Sequence, residues 1–154
     1  MERDRSGLLV LDEGECLDAL ARGRYGCVAL SHRALPLVLP VSYLVDRGSV
    51  VLRAAAQSTI GRTASGSVLS FCAHTWDAAT ADNWSVVVTG RADLVENERE
   101  RERLERLSLP QWGDPDDPQI VLRLTPVFMT GRALAPPEAR VSAPVGAAFP
   151  GGFD

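Results

Sequence analysis

Short apolar runs, many of them alternating with polar residues, recur six times along this chain and are separated by turn residues. Residues 25–31, 37–45, 49–55, 67–73, 84–94 and 119–132 have the Val, Leu and aromatic content of β-strands. In the last run Ile120, Leu122 and Leu124 alternate with Gln119, Arg123 and Thr125. Asp46-Arg47-Gly48 and Ser65-Gly66 are turn sequences. Gly90 marks a bulge or bend in the long fifth run.

Two stretches follow a helical period instead. Residues 11–23 begin with a capping pair, Asp12 and Glu15. Cys16, Leu17, Leu20 and Ala21 form the apolar face of this segment, and Gly23 is its stop. Residues 96–107 are laced with opposite charges, Glu98 with Arg101 and Glu102 with Arg106, which reads as a solvated helix with Leu104 and Leu107 inward. Residues 57–64 suit one helical turn or a loop. Residues 110–118 are a Pro- and Asp-rich loop, and Pro, Ala and Gly dominate residues 135–154. The expectation is a mostly β domain over residues 1–134, a closed antiparallel barrel plugged by two helices, with a tail over 135–154.

The chain has 154 residues, 45% of them hydrophobic and 23% charged, which fits one globular domain. A net charge of -4 argues against non-specific nucleic-acid binding. No apolar run approaches a membrane span, and the charged start, Met1 to Arg5, is not followed by a signal-type core. A cytoplasmic protein is the expectation. Cys16, Cys27 and Cys72 lack metal-ligand spacing and read as reduced, buried thiols. All 16 basic residues are arginine, so an anion must be held by guanidinium groups, hydroxyls and backbone N–H groups.

Candidate chemistry is sparse. Arg53 ends a strand, and Ser58, Thr59 and Arg62 follow closely; together they can grip a phosphate, or they are a surface arginine and an ordinary helix cap. Trp84 can stack on a planar ring with Ser85 at its polar edge, although a core tryptophan is the commoner case. Ser42 and Tyr43 close the Pro-Val-Ser-Tyr segment, and Tyr43 is a candidate proton donor. His32 and His74 have no ligand partner at zinc spacing, so no metal site is expected. His74 is a candidate general acid or haem ligand, and Asp77 and Asp82 flank the same loop. Trp76 and Trp112 fall in loops. No nucleophile elbow, P-loop or dinucleotide fingerprint is present.

Five pieces of sequence, in order, carry a family resemblance. They are Cys16-Leu17-Asp18-Ala19-Leu20-Ala21, Gly26-Cys27-Val28-Ala29, Pro36 through Tyr43, Trp84 through Ala92, and Thr130-Gly131-Arg132. The chain resembles the pyridoxamine 5'-phosphate oxidase-like flavin-binding split barrels from about Leu17 to Arg132. The resemblance implies a six-stranded antiparallel split barrel and a homodimer with FMN sites at the subunit interface. It implies that Arg53, Ser58 and Thr59 face the phosphate, and that Arg62 stands in for a lysine. Val41, Ser42 and Tyr43 would run beside the ring system, and Trp84 and Ser85 would arrive from the partner chain. Relatives usually carry a glycine and a lysine in the phosphate turn, where this chain has Gln57-Ser58-Thr59. They often have Phe-Glu-x-Asp where it has Phe71-Cys72-Ala73-His74, and glycine where it has Asn83.

The implied function is a flavin-dependent oxidoreductase passing hydride or electrons to a small organic substrate, with FMN or a deazaflavin as cofactor. Two other readings stay open. One is a cofactor-free barrel whose interface cleft binds or transforms a small hydrophobic molecule, with Tyr43, His74, Asp77 or Trp76 as acid, base and lid. The other is a haem-binding member with His74 as ligand.

Overall fold

The computed structural model describes residues 1–77, 79–80, 82–109, 111 and 113–135. Trp112 and the tail from residue 136 onward lie outside the described residues. The elements run β1 (Leu9–Leu11), α1 (Glu13–Arg22), β2 (Tyr25–His32), β3 (Leu35–Asp46), β4 (Ser49–Ala55), α2 (Thr59–Thr63), β5 (Val68–Thr75), β6 (Trp84–Leu94), α3 (Glu98–Arg106) and β7 (Gln119–Ala133). No helix among the described residues is long and apolar enough to cross a membrane.

The sheet order is β1-β7-β4-β3-β2-β5-β6, and a β6–β7 ladder closes six of these strands into an antiparallel barrel. This is the expected six-stranded split barrel with one short strand, β1, added on the edge of β7. The split comes from unequal pairing. Ser42 to Asp46 of β3 pair with β4, whereas Leu35 to Val41 pair with β2 alone. On the far side, β7 pairs with β4 over Gln119 to Leu124 and with β1 over Gly131 to Ala133. Pro36 and Pro40 sit in the half of β3 whose other edge is open, where a missing N–H costs no ladder bond.

Local chemistry explains the element ends. The capping box of α1 is complete: Asp12 Oδ1 accepts from the Glu15 N–H at 2.8 Å, and Glu15 Oε2 accepts from the Asp12 N–H at 2.9 Å. Its buried face is Cys16, Ala19 and Leu20; Ala21 points to solvent, so Ala19 takes the place expected of Ala21. Both hairpins about β3 turn on two residues with positive φ, Arg33-Ala34 and Arg47-Gly48. The ladder between β6 and β7 shifts register between Thr89 and Gly90, where the bend was expected. A side chain at Gly90 would run into the Thr125 carbonyl.

Two apolar clusters result. The larger fills the barrel and is capped by α1, with Leu20, Tyr43, Leu52, Phe71, Val86 and Leu122 deep inside. The smaller lies outside it, where Leu104 of α3 and Leu109 cover Val51 and Val121. So α3 packs on the outer wall of β4 and β7 and does not plug the barrel. Leu107 caps α3 at 49% exposure, and Leu109 supplies the contact expected of it. The helix is also less solvated than its charge pattern suggests. Arg103 bridges Glu100 and Asp46 at 2.7 Å each, and Arg123 of β7 joins both carboxylates at 2.9 Å.

Candidate functional site

Where β4 turns away into α2, β3 continues without it, and a cavity of about 390 Å3 opens in the fork. That volume falls within the roughly 300–1,000 Å3 of small-molecule sites. Val41, Arg53, Ser58 and Thr59 line it, together with Leu39 and Pro40 of the open β3 edge. Arg53 is the one charged side chain among its described lining residues. Ser42 stands directly opposite Arg53 across the β3–β4 ladder.

Three polar atoms here are buried without a partner among the described residues: Ser42 Oγ, Arg53 Nε and Gln119 Oε1. They belong together. Gln119 opposes Ala55, two residues along β4 from Arg53 and on the same face. Its amide nitrogen donates to the Asp117 carbonyl at 3.0 Å, and its oxygen has no partner among the described residues. Buried polar groups are nearly always hydrogen-bonded, so three orphans on one strip, with Arg53 on the cavity wall, make this the candidate site. Gln119 was not singled out from the sequence; it reads there only as the polar start of a strand.

The hydroxyl of Ser58 is committed to its own helix. It donates to the Ala55 carbonyl at 2.7 Å and accepts from the Gly61 N–H at 3.1 Å as the cap of α2. Its single proton is therefore not offered to an anion in this rotamer. Thr59 lines the cavity, whereas Arg62 is exposed in the last turn of α2 and does not.

His74, Trp84 and Ser85 gather elsewhere, on a second cavity of about 210 Å3 that shares no lining residue with the first. His74 and Ser85 oppose each other on the outer barrel face, and Ser85 opposes Arg132 on its other side. Arg132 is held by Asp4 at 2.9 Å. Trp84 is 4% exposed, its ring beneath the Arg22 guanidinium at 5.8 Å, so it is a core tryptophan that forms one cavity wall. Trp76 lies exposed at the same cavity.

Tyr43 and Asp77 are bound into the scaffold. The Tyr43 hydroxyl donates to the Leu20 carbonyl at 2.7 Å, and its ring meets Phe71 edge-on at 4.8 Å. Burial pushes its pKa up to about 12. Replacing Tyr43 with phenylalanine is expected to lower stability by about 1 kcal/mol through loss of that bond while leaving ligand affinity unchanged; urea unfolding and a ligand titration on one sample check both halves. Asp77 accepts from the Ala79 N–H at 2.8 Å and from Thr80 Oγ1 at 2.9 Å. Those bonds, the Ala79 one foremost, hold its carboxyl below the usual range, as expected of a turn-capping aspartate and not of a proton donor. Among the described residues no group of three metal-type ligands converges.

The chain is thus an antiparallel split barrel with a cavity in its fork. The family model for pyridoxamine 5'-phosphate oxidase matches residues 12–133, and the chain belongs to that family. It is 32% identical over 126 residues to the uncharacterized protein Rv0080 of Mycobacterium tuberculosis, covering 79% of this chain and 82% of that one. Its fold is similar to that of an FAD binding protein from Mycobacterium smegmatis, with a TM-score of 0.70 at 24% identity over 82% of this chain and 100% of the other. It is also similar to an FAD-binding protein from Mesorhizobium loti, with a TM-score of 0.66 at 18% identity over 83% of this chain and 99% of the other.

Proposed function

We propose that this chain is a homodimeric flavin-binding oxidoreductase that holds FMN in the fork cavity and acts on a small organic substrate. The observation that carries the reading is the trio of buried, unpartnered atoms on Ser42, Arg53 and Gln119 beside that cavity. Arg53 would grip the phosphate, and Thr59 lies on the same wall. Val41 and the open edge of β3 would flank the ring, with Ser42 Oγ and Gln119 Oε1 offering hydrogen bonds to its polar rim. When bound, FMN supplies hydride or electron transfer; the protein orients it and excludes water. The family match and the FAD-binding structural relatives support a flavin as the occupant.

The outer face supports the second copy. Val38, Ala29, Ser70, Thr89 and Phe128 form one continuous cross-strand row. Pro40, Cys27, Cys72, Val87 and Thr130 form the next. Neither row contains a charge, and Val38 and Phe128 are 68% and 61% exposed. An uncharged face across five strands suits an interface core. Pairing through it would carry His74 and Ser85, at one end of the same face, toward a partner's fork cavity. The smaller cavity, whose lining includes Leu8, Trp76, Trp84 and Ala133, would then admit an apolar substrate ring.

A visible spectrum of the purified protein and a fluorescence-quenching titration with FMN test the reading. A colourless protein that quenches no FMN would remove it. Sedimentation at micromolar concentration should show a dimer, and Phe128→Asp should split it. The same substitution should lower FMN affinity at least tenfold, although Phe128 lines neither cavity; intact affinity in a monomeric variant would refute the shared site. The committed Ser58 proton favours one second reading, a barrel whose apolar cavity binds a hydrophobic molecule with no cofactor.

A further inference from the structure

Cys27 of β2 and Cys72 of β5 are directly opposed in the antiparallel ladder. We infer that these two thiols are a redox modification site, closing to a reversible intrachain disulfide on oxidation by a peroxide. Opposed residues in an antiparallel pair point to one face with Cα atoms about 4.5 or 5.5 Å apart, according to the ladder position. Both spacings fall inside the roughly 4.4–6.8 Å that a disulfide spans.

The register that sets up this pair is pinned. A side chain at Gly26 would come within 2.6 Å of both the Cys72 carbonyl oxygen and the Phe71 ring, so β2 lies unusually close to β5 here. The two strands share only three rungs, Cys27–Cys72, Val28–Phe71 and Ala29–Ser70. A covalent link would staple the shortest seam of the closed barrel. Both thiols are free and half-buried, whereas the third, Cys16 of α1, is buried beside β1 and Gly131 of β7, its sulfur 3.9 Å from the Leu11 carbonyl. Ser85 hydrogen-bonds Cys72, and burial pushes the Cys72 thiol up, which disfavours its thiolate.

The same products form whichever thiol is oxidised first; Cys27 is taken as the first. Its sulfur attacks the peroxide O–O bond, forms an S–O bond and releases one oxygen as water. The Cys72 sulfur then displaces the second oxygen, also as water, and the S–S bond forms. Two thiols and one hydrogen peroxide give one disulfide and two waters. A thiol reductant reverses it.

This inference rests on none of the flavin reading. The test treats the reduced full-length protein with hydrogen peroxide, blocks residual thiols under denaturing conditions and maps peptides by mass. Because both cysteines lie on the face proposed for the dimer, the reaction is run at high and at nanomolar protein concentration. The expected result is a linked Cys27–Cys72 peptide pair at the lower concentration at least, one remaining thiol at Cys16, and full reversal by dithiothreitol. Cys27→Ser and Cys72→Ser should each abolish the link. Free thiols at both concentrations, separate over-oxidation of each cysteine, or a link between chains on a non-reducing gel would overturn the proposal.

Discussion

Arg53→Ala should weaken FMN binding by about tenfold to a hundredfold, the loss of one charge-assisted contact of roughly 1.5–3 kcal/mol. The size of the effect follows from the absence of any substitute. Among the described lining residues of the fork cavity no other side chain is charged, and the chain has no lysine to lend. Arg62 is exposed outside the cavity, and the Ser58 proton is held by Ala55. Arg53 is also pre-positioned: it is half-buried on a strand wall opposite Ser42, with its Nε without a partner. Little ordering is left to pay for when an anion arrives. Arg53→Lys should recover part of the loss, since a point charge replaces a planar fork. Riboflavin, which lacks the phosphate, isolates the contact. Its affinity should be nearly the same in wild type and Arg53→Ala. Equal losses for FMN and riboflavin would move Arg53 from the phosphate to the ring, and no loss for either would empty the assignment.

The sequence carries much of this fold because the local signals agree with the packing. Asp12 and Glu15 spell a capping box, and the structure builds both of its bonds. Gly90 marks the bulge because only a residue without Cβ can pass the Thr125 carbonyl. Other features have no local signature. β1 is three residues long and is held between the edge offered by Gly131 to Ala133 and the N-terminal residues Glu2 and Arg3. The β2–β3 hairpin turns on Arg33-Ala34, side chains that seldom adopt positive φ, so the turn is imposed by the two strands it joins. The position of α3 depends on outward Val51 and Val121, which look like ordinary strand residues until Leu104 and Leu109 cover them.

The site was legible in part for the same reason. Arg53 and Thr59 line one fork because the end of β4 is close in sequence to the turn that follows it, and the β3–β4 ladder sets Ser42 opposite Arg53. Gln119 is distant in sequence and is brought there by the β4–β7 ladder alone. Tyr43, placed by sequence beside the ring, has its hydroxyl on the inward side with α1, because alternation along β3 turns it away from Ser42. A one-residue step along β3 sets Ser42 opposite Arg53 and Tyr43 in the core.

Asp46→Asn should cost about 2 kcal/mol of stability at neutral pH, the largest loss expected from a single site outside the apolar core. Asp46 closes β3 at 8% exposure and receives both Arg103 nitrogens, at 3.1 and 2.7 Å, and the Arg123 guanidinium at 2.9 Å. The Arg103 hydrogen bonds chiefly, with Arg123 adding to them against the opposing effect of burial, bring its pKa from 3.8 to about 2. A shift of that size is worth about 2 kcal/mol by linkage at roughly 1.36 kcal/mol per unit. The folded pKa lies below the unfolded one. The contribution is therefore fully present above about pH 5 and disappears as pH falls through 3.8 toward about 2. Asparagine keeps the shape but removes the charge, leaving Arg103 and Arg123 to share Glu100 alone. Urea unfolding from pH 7 down to pH 2 measures both consequences. Wild type should lose stability steeply below pH 5, and Asp46→Asn should start lower and show a shallower slope. Parallel curves would mean that solvent already screens the network, as it does for exposed ion pairs worth under about 1 kcal/mol. In that case the apolar contact of Leu104 and Leu109 with Val51 and Val121 alone would be what holds α3 to the barrel.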